Sequence, residues 1–205
     1  MEDNTMINQI SYDLNGILQD CWHRMINGTT VKNHPFRSPS IATVENDCPV
    51  IRTVVLRKAL ATEKTLIFHT DYRSPKLNQI VKNDKVSWLF YDQKAKIQLR
   101  IKTNATVHHN DEITLKQWVA ARPESKKTYL VQPAPSAISD FSTDGLSEFK
   151  ETELSDKQLD TGYQNFAVIK CMVKELDWLY LNKDGHRRAK FIFQNDTVKQ
   201  YWLVP

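Results

Sequence analysis

The chain has 205 residues, of which 40% are hydrophobic and 25% are charged, and its formal net charge is +4. This length and composition are typical of one folded domain with a hydrophobic core, and they exclude collagen-like and low-complexity chains. The small positive charge is spread along the chain, so it weakly favours anionic partners and falls short of a nucleic-acid-binding surface.

The predicted elements begin with an amphipathic helix over about residues 8–26, which Asn27 and Gly28 end. From residue 41 the period of the apolar pattern changes to two, which indicates strands. These strands are expected over residues 41–44, 50–58, 65–70, 86–91, 96–107, 166–173, 178–181, 189–194 and 198–203. Short helices are predicted after the cap residue Ser74 and over residues 111–121, and about 123–162 is an irregular insertion.

Many short strands at hairpin spacing predict an α+β fold of mainly antiparallel strands, closed into a barrel with peripheral helices. Closure would remove the exposed strand edges. No internal repeat or linker divides the sequence, so we expect a single domain over residues 1–205.

The apolar runs, the N-terminal residues and the cysteines indicate the cellular compartment. No apolar run approaches the ~18 residues that a membrane span needs, and the polar, acidic start is unlike a signal peptide. Cys21, Cys48 and Cys171 are odd in number and lack metal-site spacing, which is typical of reduced thiols. We therefore expect a cytoplasmic protein with no metal site and no membrane or nucleic-acid partner.

The segment Arg73-Ser74-Pro75-Lys76 places two cations at the start of a predicted helix. Cations are disfavoured there by roughly 0.3–1 kcal/mol, because the helix dipole is positive at its N-terminus. A bound anion would reverse that effect, since free N–H groups, a hydroxyl and two cations make a phosphate site. From these residues alone, a capped surface helix and a phosphate site both remain open.

Two strands also carry arginines that need an explanation. Arg52 lies among β-branched residues and requires a partner, either a carboxylate such as Asp71 or Asp92 or a ligand phosphate. Along the later strand, Gln98 and Arg100 form a polar stripe opposite Leu99 and Ile101, which is either a solvated outer face or a contact surface.

Taken in order, four sequence blocks resemble the pyridoxamine 5′-phosphate oxidase family, whose members are FMN-binding split β-barrels. The blocks are RTVVLR (52–57), FHTDYRSPKLNQI (68–80), VSWLFYD (86–92) and QLRI (98–101), with weaker similarity at 118–125 and 176–205.

The resemblance implies a set of FMN contacts. Arg52 and Lys76 would bind the FMN phosphate, with Ser74 beside them. The backbone of Thr53, Val54, Val55 and Leu56 would line the flavin ring, His69 and Thr70 would lie near the ring and ribityl chain, and Gln98 would contact the flavin. The resemblance also implies a homodimer with FMN at the subunit interface.

The substrate side departs from the oxidase pattern. Arg57 stands where the oxidase has a lysine, Trp118 replaces a tyrosine, and residues 186–190 replace an Arg-Leu-His-Asp-Arg run. The sequence is therefore similar to a divergent, oxidase-related branch and not to the oxidase itself. The positions that the resemblance assigns to the substrate are Arg57, Trp118, Arg122, Ser125, Arg187 and Arg188.

Two functions follow from the resemblance. The first is an FMN-dependent oxidoreductase acting on a small, anionic or phosphorylated substrate. The second is a non-catalytic FMN-binding module, such as a flavin carrier or redox sensor. The sequence assigns no catalytic residue and leaves the substrate and electron acceptor open.

Overall fold

The computed structural model describes residues 5–7, 10–146, 149, 154–195 and 197–205. The helices are α1 (Leu14–Thr30), α2 (Pro75–Lys82), α3 (Glu112–Val119), α4 (Pro123–Lys127) and α5 (Asp156–Asp160). The strands are β1 (Thr5–Ile7), β2 (Ile10–Tyr12), β3 (Ser40–Glu45), β4 (Cys48–Thr53), β5 (Leu56–Leu60), β6 (Thr65–Asp71), β7 (Lys85–Asp92), β8 (Ile97–His109), β9 (Phe166–Tyr180), β10 (Arg187–Gln194) and β11 (Thr197–Leu203). Of the helices in these ranges, none combines the length and apolar character that crossing a membrane requires.

Nine strands of the described chain form one antiparallel sheet, and β1 and β2 form a separate hairpin. The sheet order is β11-β10-β9-β8-β7-β3-β4, with β6 paired to β9 and β5 paired to β6. The predicted α+β class with antiparallel strands and peripheral helices is confirmed. The expected full closure is wrong, because among the described strands β4, β5 and β11 remain unpaired edges.

Strand β9 is one 15-residue element, although the sequence predicts two strands there. The polar segment around Glu175 and Asp177 suggested a break. The strand continues because β8 pairs with it along almost its whole length, with one register shift between Lys102 and Thr103. On its other side, β9 pairs first with β6 and then with β10.

The predicted strand over 50–58 is two strands, β4 and β5. The chain leaves the ladder at Val54 and Val55, and the Val54 N–H donates to the Pro39 carbonyl at 3.0 Å. In β5 the register moves between Leu56 and Lys58, which makes Arg57 the extra residue of a β-bulge. A bulge re-aims side chains, so simple alternation does not predict the direction of Arg57.

Helix α1 begins after its cap Asp13, whose carboxylate accepts from the Gly16 N–H, and it continues beyond the predicted end to Thr30. Residues 8 and 9 of the predicted helix lie outside the described residues, and the prediction is wrong for residues 10–12, which pair in the hairpin as β2. Gly28 lies against the following turn: a Cβ there would be 2.8 Å from the Phe36 carbonyl oxygen. Phe36 is fully buried in the main core, so helix and turn are held tightly together.

The predicted irregular insertion, 123–162, contains α4, α5 and short 3-10 turns. Its residues 147, 148 and 150–153 lie outside the described part of the chain. Tyr129 packs with Trp118 and Phe166 in a second, smaller hydrophobic cluster. This cluster attaches the insertion to one side of β6 and β9.

Candidate functional site

Two cations lie together beside the start of α2. We call Arg52, Thr70, Ser74 and Lys76 the cation cluster. The Lys76 ammonium donates to the Thr70 hydroxyl at 3.0 Å and to the Ser74 hydroxyl. The Arg52 guanidinium donates to the Gln79 amide oxygen at 2.9 Å and to the Thr43 hydroxyl. Burial, and then the charge of Arg52, lowers the pKa of Lys76, while burial lowers the pKa of Arg52.

The two carboxylates considered as partners of Arg52, Asp71 and Asp92, form ion pairs with other arginines. Asp71 forms a two-pronged pair with Arg73, at 2.7 and 3.0 Å, and Asp92 pairs with Arg24. Arg73 is therefore not the second free cation of this helix start, contrary to expectation; Arg52 takes that place.

Within the described residues, neutral oxygens are the hydrogen-bond acceptors of both Arg52 and Lys76. The Glu45 carboxylate accepts from the Gln79 amide at 3.0 Å, and it acts on Arg52 through its charge, with no hydrogen bond to it in the described structure. Partly buried cations that lack a contacting carboxylate are costly unless an anion joins them. The cluster therefore fits a phosphate group.

Helix α2 begins as predicted, with Pro75 at its first position. The Ser74 hydroxyl makes no cap bond to the helix backbone and accepts from Lys76 instead. Pro75 has no N–H, and the Leu77 N–H donates to the Ser74 carbonyl at 2.9 Å, so the two cations and the Ser74 hydroxyl are the main groups that this helix start presents. That combination is suited to an anion.

The residues assigned to the flavin ring lie on several elements. Thr53 is exposed at the end of β4, and Val54 and Val55 lie outside the ladder. The Leu56 side chain is buried in the core, so only its backbone is available to a ligand. Gln98 is half-buried on β8, opposite Tyr91 and Leu179.

A second feature is a cleft of about 1010 Å³, which we call the basic cleft. It brings together four residues that the resemblance assigned, Arg57, His69, Arg122 and Ser125. Among the described residues, its lining carries six cations and no carboxylate; these cations are Lys32, Arg37, Arg57, Lys58, Lys116 and Arg122. Sequence reasoning missed Lys32, Arg37, Lys58 and Lys116, because none of them belongs to a local motif that marks it as a ligand contact.

His69 faces the basic cleft as a neutral base. Its Nε2 is buried and has no hydrogen-bond partner in the described structure, and its ring packs edge-on against Phe166 at 4.9 Å. Burial, helped by the charges of Arg57 and Lys58, lowers the pKa of His69 to about 3. A neutral imidazole with a free nitrogen can donate or accept a hydrogen bond.

Thr70 and His69 link the two features. Adjacent residues on a strand point to opposite faces, so Thr70 joins the cation cluster while His69 joins the basic cleft. The cation cluster and the basic cleft therefore lie on opposite faces of β6.

The structure does not bring the other assigned residues to the basic cleft. Trp118 is buried, donates its indole N–H to Asp160 at 2.8 Å and packs against Phe166. Arg188 pairs with Asp177 at 2.8 Å and lines a separate groove of about 490 Å³. Arg187 is exposed and donates to the neighbouring His186 carbonyl at 2.9 Å. Substrate contacts of these three residues stay predictions.

The low pKa of His69 predicts a specific loss of stability in acid. The unfolded chain takes up this proton below pH 6.5 while the folded chain does not until about pH 3, so folding is destabilised as the pH falls. At pH 5 the penalty is roughly 2 kcal/mol. We expect His69→Phe to reduce the difference in unfolding free energy between pH 7 and pH 5 by about that amount in urea titrations.

His23→Phe is the matched control, because His23 is exposed on α1. It should keep the pH dependence of the wild type. An identical pH dependence for His69→Phe and the wild type would contradict a buried neutral imidazole.

Comparison with known proteins agrees with this geometry. Residues 19–109 match the family model described as "Pyridoxamine 5'-phosphate oxidase, FMN-binding domain". A Leptospira interrogans protein named pyridoxine/pyridoxamine 5'-phosphate oxidase is 24% identical over 166 residues, which are 79% of this chain and 74% of that protein.

Two crystal structures share the fold. A pyridoxamine 5'-phosphate oxidase-related, FMN binding protein from Nostoc punctiforme has a TM-score of 0.73 at 19% identity, covering 93% of this chain and 96% of its own. PhzG from Burkholderia lata, in complex with tetrahydrophenazine-1-carboxylic acid, has a TM-score of 0.66 at 16% identity, covering 92% and 91%.

The matched segment contains the whole cation cluster and the Arg57 bulge, and the two solved structures share the fold. The resemblance expected from the sequence blocks is therefore confirmed. Residues 19–109 are similar to the FMN-binding domain of the pyridoxamine 5′-phosphate oxidase family, and the fold of the chain is that of related split-barrel proteins.

Proposed function

We propose that this protein binds FMN and uses it as an oxidoreductase on a small anionic substrate. The observation that carries the proposal is the pair of partly buried cations, Arg52 and Lys76, which the described structure supplies only with neutral oxygen partners. This pair lies inside a segment that matches an FMN-binding family model.

The cation cluster would hold the FMN phosphate. Arg52 and Lys76 supply the charge, and Ser74 supplies a hydroxyl at the start of α2. The backbone of residues 53–56, which leaves the ladder at Val54, would lie along the flavin ring, with Gln98 as a further contact. When bound, a flavin accepts a hydride equivalent from a substrate and passes the electrons to an acceptor.

The basic cleft would take the substrate. Arg57 and Arg122 provide positive charge, and His69 stays neutral, so it does not add to that charge. The Leptospira relative is named for a phosphorylated substrate, and the Burkholderia structure holds a carboxylic acid. Both names support an anionic substrate for this cleft.

The basic cleft also favours an enzyme over a flavin carrier. A carrier needs a site for FMN only, whereas this chain has a second concave feature with its own set of cations. Concave sites with convergent polar groups are the usual location of substrate binding.

We further propose that two copies of the chain meet on the outer face of the sheet. We define the outer face by Ile51, Leu89, Arg100, Asp177 and Arg188. Ile51 is 68% exposed and Leu89 is 43% exposed. Arg100 and Arg188 share the Asp177 carboxylate beside these apolar groups. Exposed apolar surface with a polar rim is typical of an interaction site. In such a dimer, Arg187 and Arg188 of one copy would contact the substrate bound by the other copy.

The compartment remains a prediction. Cys21, Cys48 and Cys171 are free, which is consistent with a reducing cytoplasm.

The phosphate assignment predicts that Lys76→Ala discriminates between two flavins. FMN affinity should fall about 10- to 100-fold, the effect of one lost charged hydrogen bond. Riboflavin, which lacks the phosphate, should bind with nearly unchanged affinity. Quenching of flavin fluorescence during titration measures both constants. Lys82→Ala, at the exposed end of the same helix, is the control. Equal losses for both flavins would place Lys76 away from the phosphate.

The enzyme proposal predicts that anionic donors reduce the bound flavin. We expect the visible flavin band of the FMN-loaded protein to bleach without oxygen when a reduced pyridine nucleotide or pyridoxine 5′-phosphate is added. Unphosphorylated pyridoxine should react far more slowly, because it lacks the charge that Arg57 and Arg122 attract. A band that persists across this panel would favour the non-catalytic flavin-binding module.

The dimer proposal predicts a particle of twice the 23.9 kDa chain mass by light scattering. Leu89→Asp should give monomers that retain less flavin, because it places a charge in the apolar contact. Leu115→Asp is the control, since Leu115 is similarly exposed on α3, outside the outer face. A wild-type monomer with full flavin content would overturn the shared interface.

A further inference from the structure

The basic cleft carries more positive charge than one substrate anion requires. Arg57 and Arg122 belong to the substrate site proposed above. Lys32, Arg37 and Lys116 line the same cleft and have no role in that site. We call these three residues the second cation group.

The chain segment that carries Lys32 and Arg37 is held in place. Gly28 of α1 makes the close approach to the Phe36 carbonyl, and the Phe36 ring is fully buried against Phe90 at 5.1 Å. The Arg37 N–H donates to the His34 carbonyl at 3.0 Å. The backbone positions of the two cations are therefore set by core packing.

The second cation group contacts no carboxylate within the part of the chain that the structure describes. None of its three members forms an ion pair with a residue that the structure describes, whereas Arg24, Arg73 and Arg188 each have one. Lys116 lies in the last turn of α3 and Lys32 follows the end of α1. The helix dipole is negative at its C-terminal end, so it stabilises a cation at either place. That effect does not account for Arg37. Clustered like charges repel, and a bound anion removes the repulsion.

The size of the cleft agrees with a larger ligand. Its volume of about 1010 Å³ is at the upper end for sites that hold drug-sized molecules. Six cations from α1, α3, β5 and their adjoining turns surround it. A small monoanion would contact only part of this lining.

We propose that Lys32, Arg37 and Lys116 form a second anion subsite, and that the substrate carries two separate anionic groups. One group binds on the Arg57 and Arg122 side, and the other binds the second cation group. This inference rests on the proposed function, in which the basic cleft is the substrate site.

Two matched sugars test the subsite, fructose 6-phosphate and fructose 1,6-bisphosphate. They are titrated calorimetrically into the full-length protein after FMN has been supplied and unbound FMN removed. We expect the bisphosphate to bind the wild type at least about tenfold more tightly, the gain from one further charged contact. In Lys32→Ala/Arg37→Ala this advantage should fall to about twofold, while the monophosphate affinity stays nearly the same.

Lys183→Ala/Lys199→Ala is the control variant. Both lysines are exposed, form no ion pair with described residues and do not line the basic cleft, so this variant removes the same charge from elsewhere on the surface. It should keep the wild-type preference. If the control variant loses the bisphosphate preference to the same extent, the loss is an effect of net charge, and the subsite proposal is overturned. Retention of the full bisphosphate preference in Lys32→Ala/Arg37→Ala would also overturn it, as would no measurable bisphosphate binding at low salt.

Arg57→Ala separates the two proposals. It should weaken both sugars, because it removes a cation from the first anion position. If it weakens neither, the proposed substrate site fails. If it weakens both while the second cation group has no effect, the proposed function stands and the second subsite fails.

Discussion

The structure depends on how β9 shares its hydrogen bonds. One side of this strand pairs with β8 along almost its whole length, and the other side pairs first with β6 and then with β10. The sheet therefore divides at β9. Its first half holds β6, with His69 and Thr70, and its second half holds β10, with Arg188. The separation between the basic cleft and the outer face follows from this exchange of partners.

The distribution of carboxylates divides the cations into two classes. Arg24, Arg73 and Arg188 each contact a carboxylate and stabilise the fold locally. Arg52 and Lys76 contact neutral oxygens in the described structure, although burial lowers the pKa of both. Surrounding structure must offset the cost of the second class. Two such cations beside the start of α2 make this place suited to binding an anion.

Local sequence signals predicted most elements, and they failed where tertiary pairing overrode them. The helix start at Ser74 and Pro75 is found as expected, because capping and proline geometry act over a few residues. The polar segment within β9 was wrongly predicted to be a break, since pairing with β8 continues through it. At the site, Arg57 was identified by resemblance, but its direction depends on a bulge that requires the β6 register.

The amino-acid sequence specified most of the strands and helices and the motifs they carry, because alternation, capping and turn preferences act over short stretches of chain. Which charges meet was set by the fold. Asp71 was an open partner for Arg52 until the fold paired it with Arg73, and Lys116 joined Arg37 in one cleft only through packing. The physical reason is that a charge contact depends on the distance between groups many residues apart. Sheet register and core packing set that distance, and no local pattern encodes it.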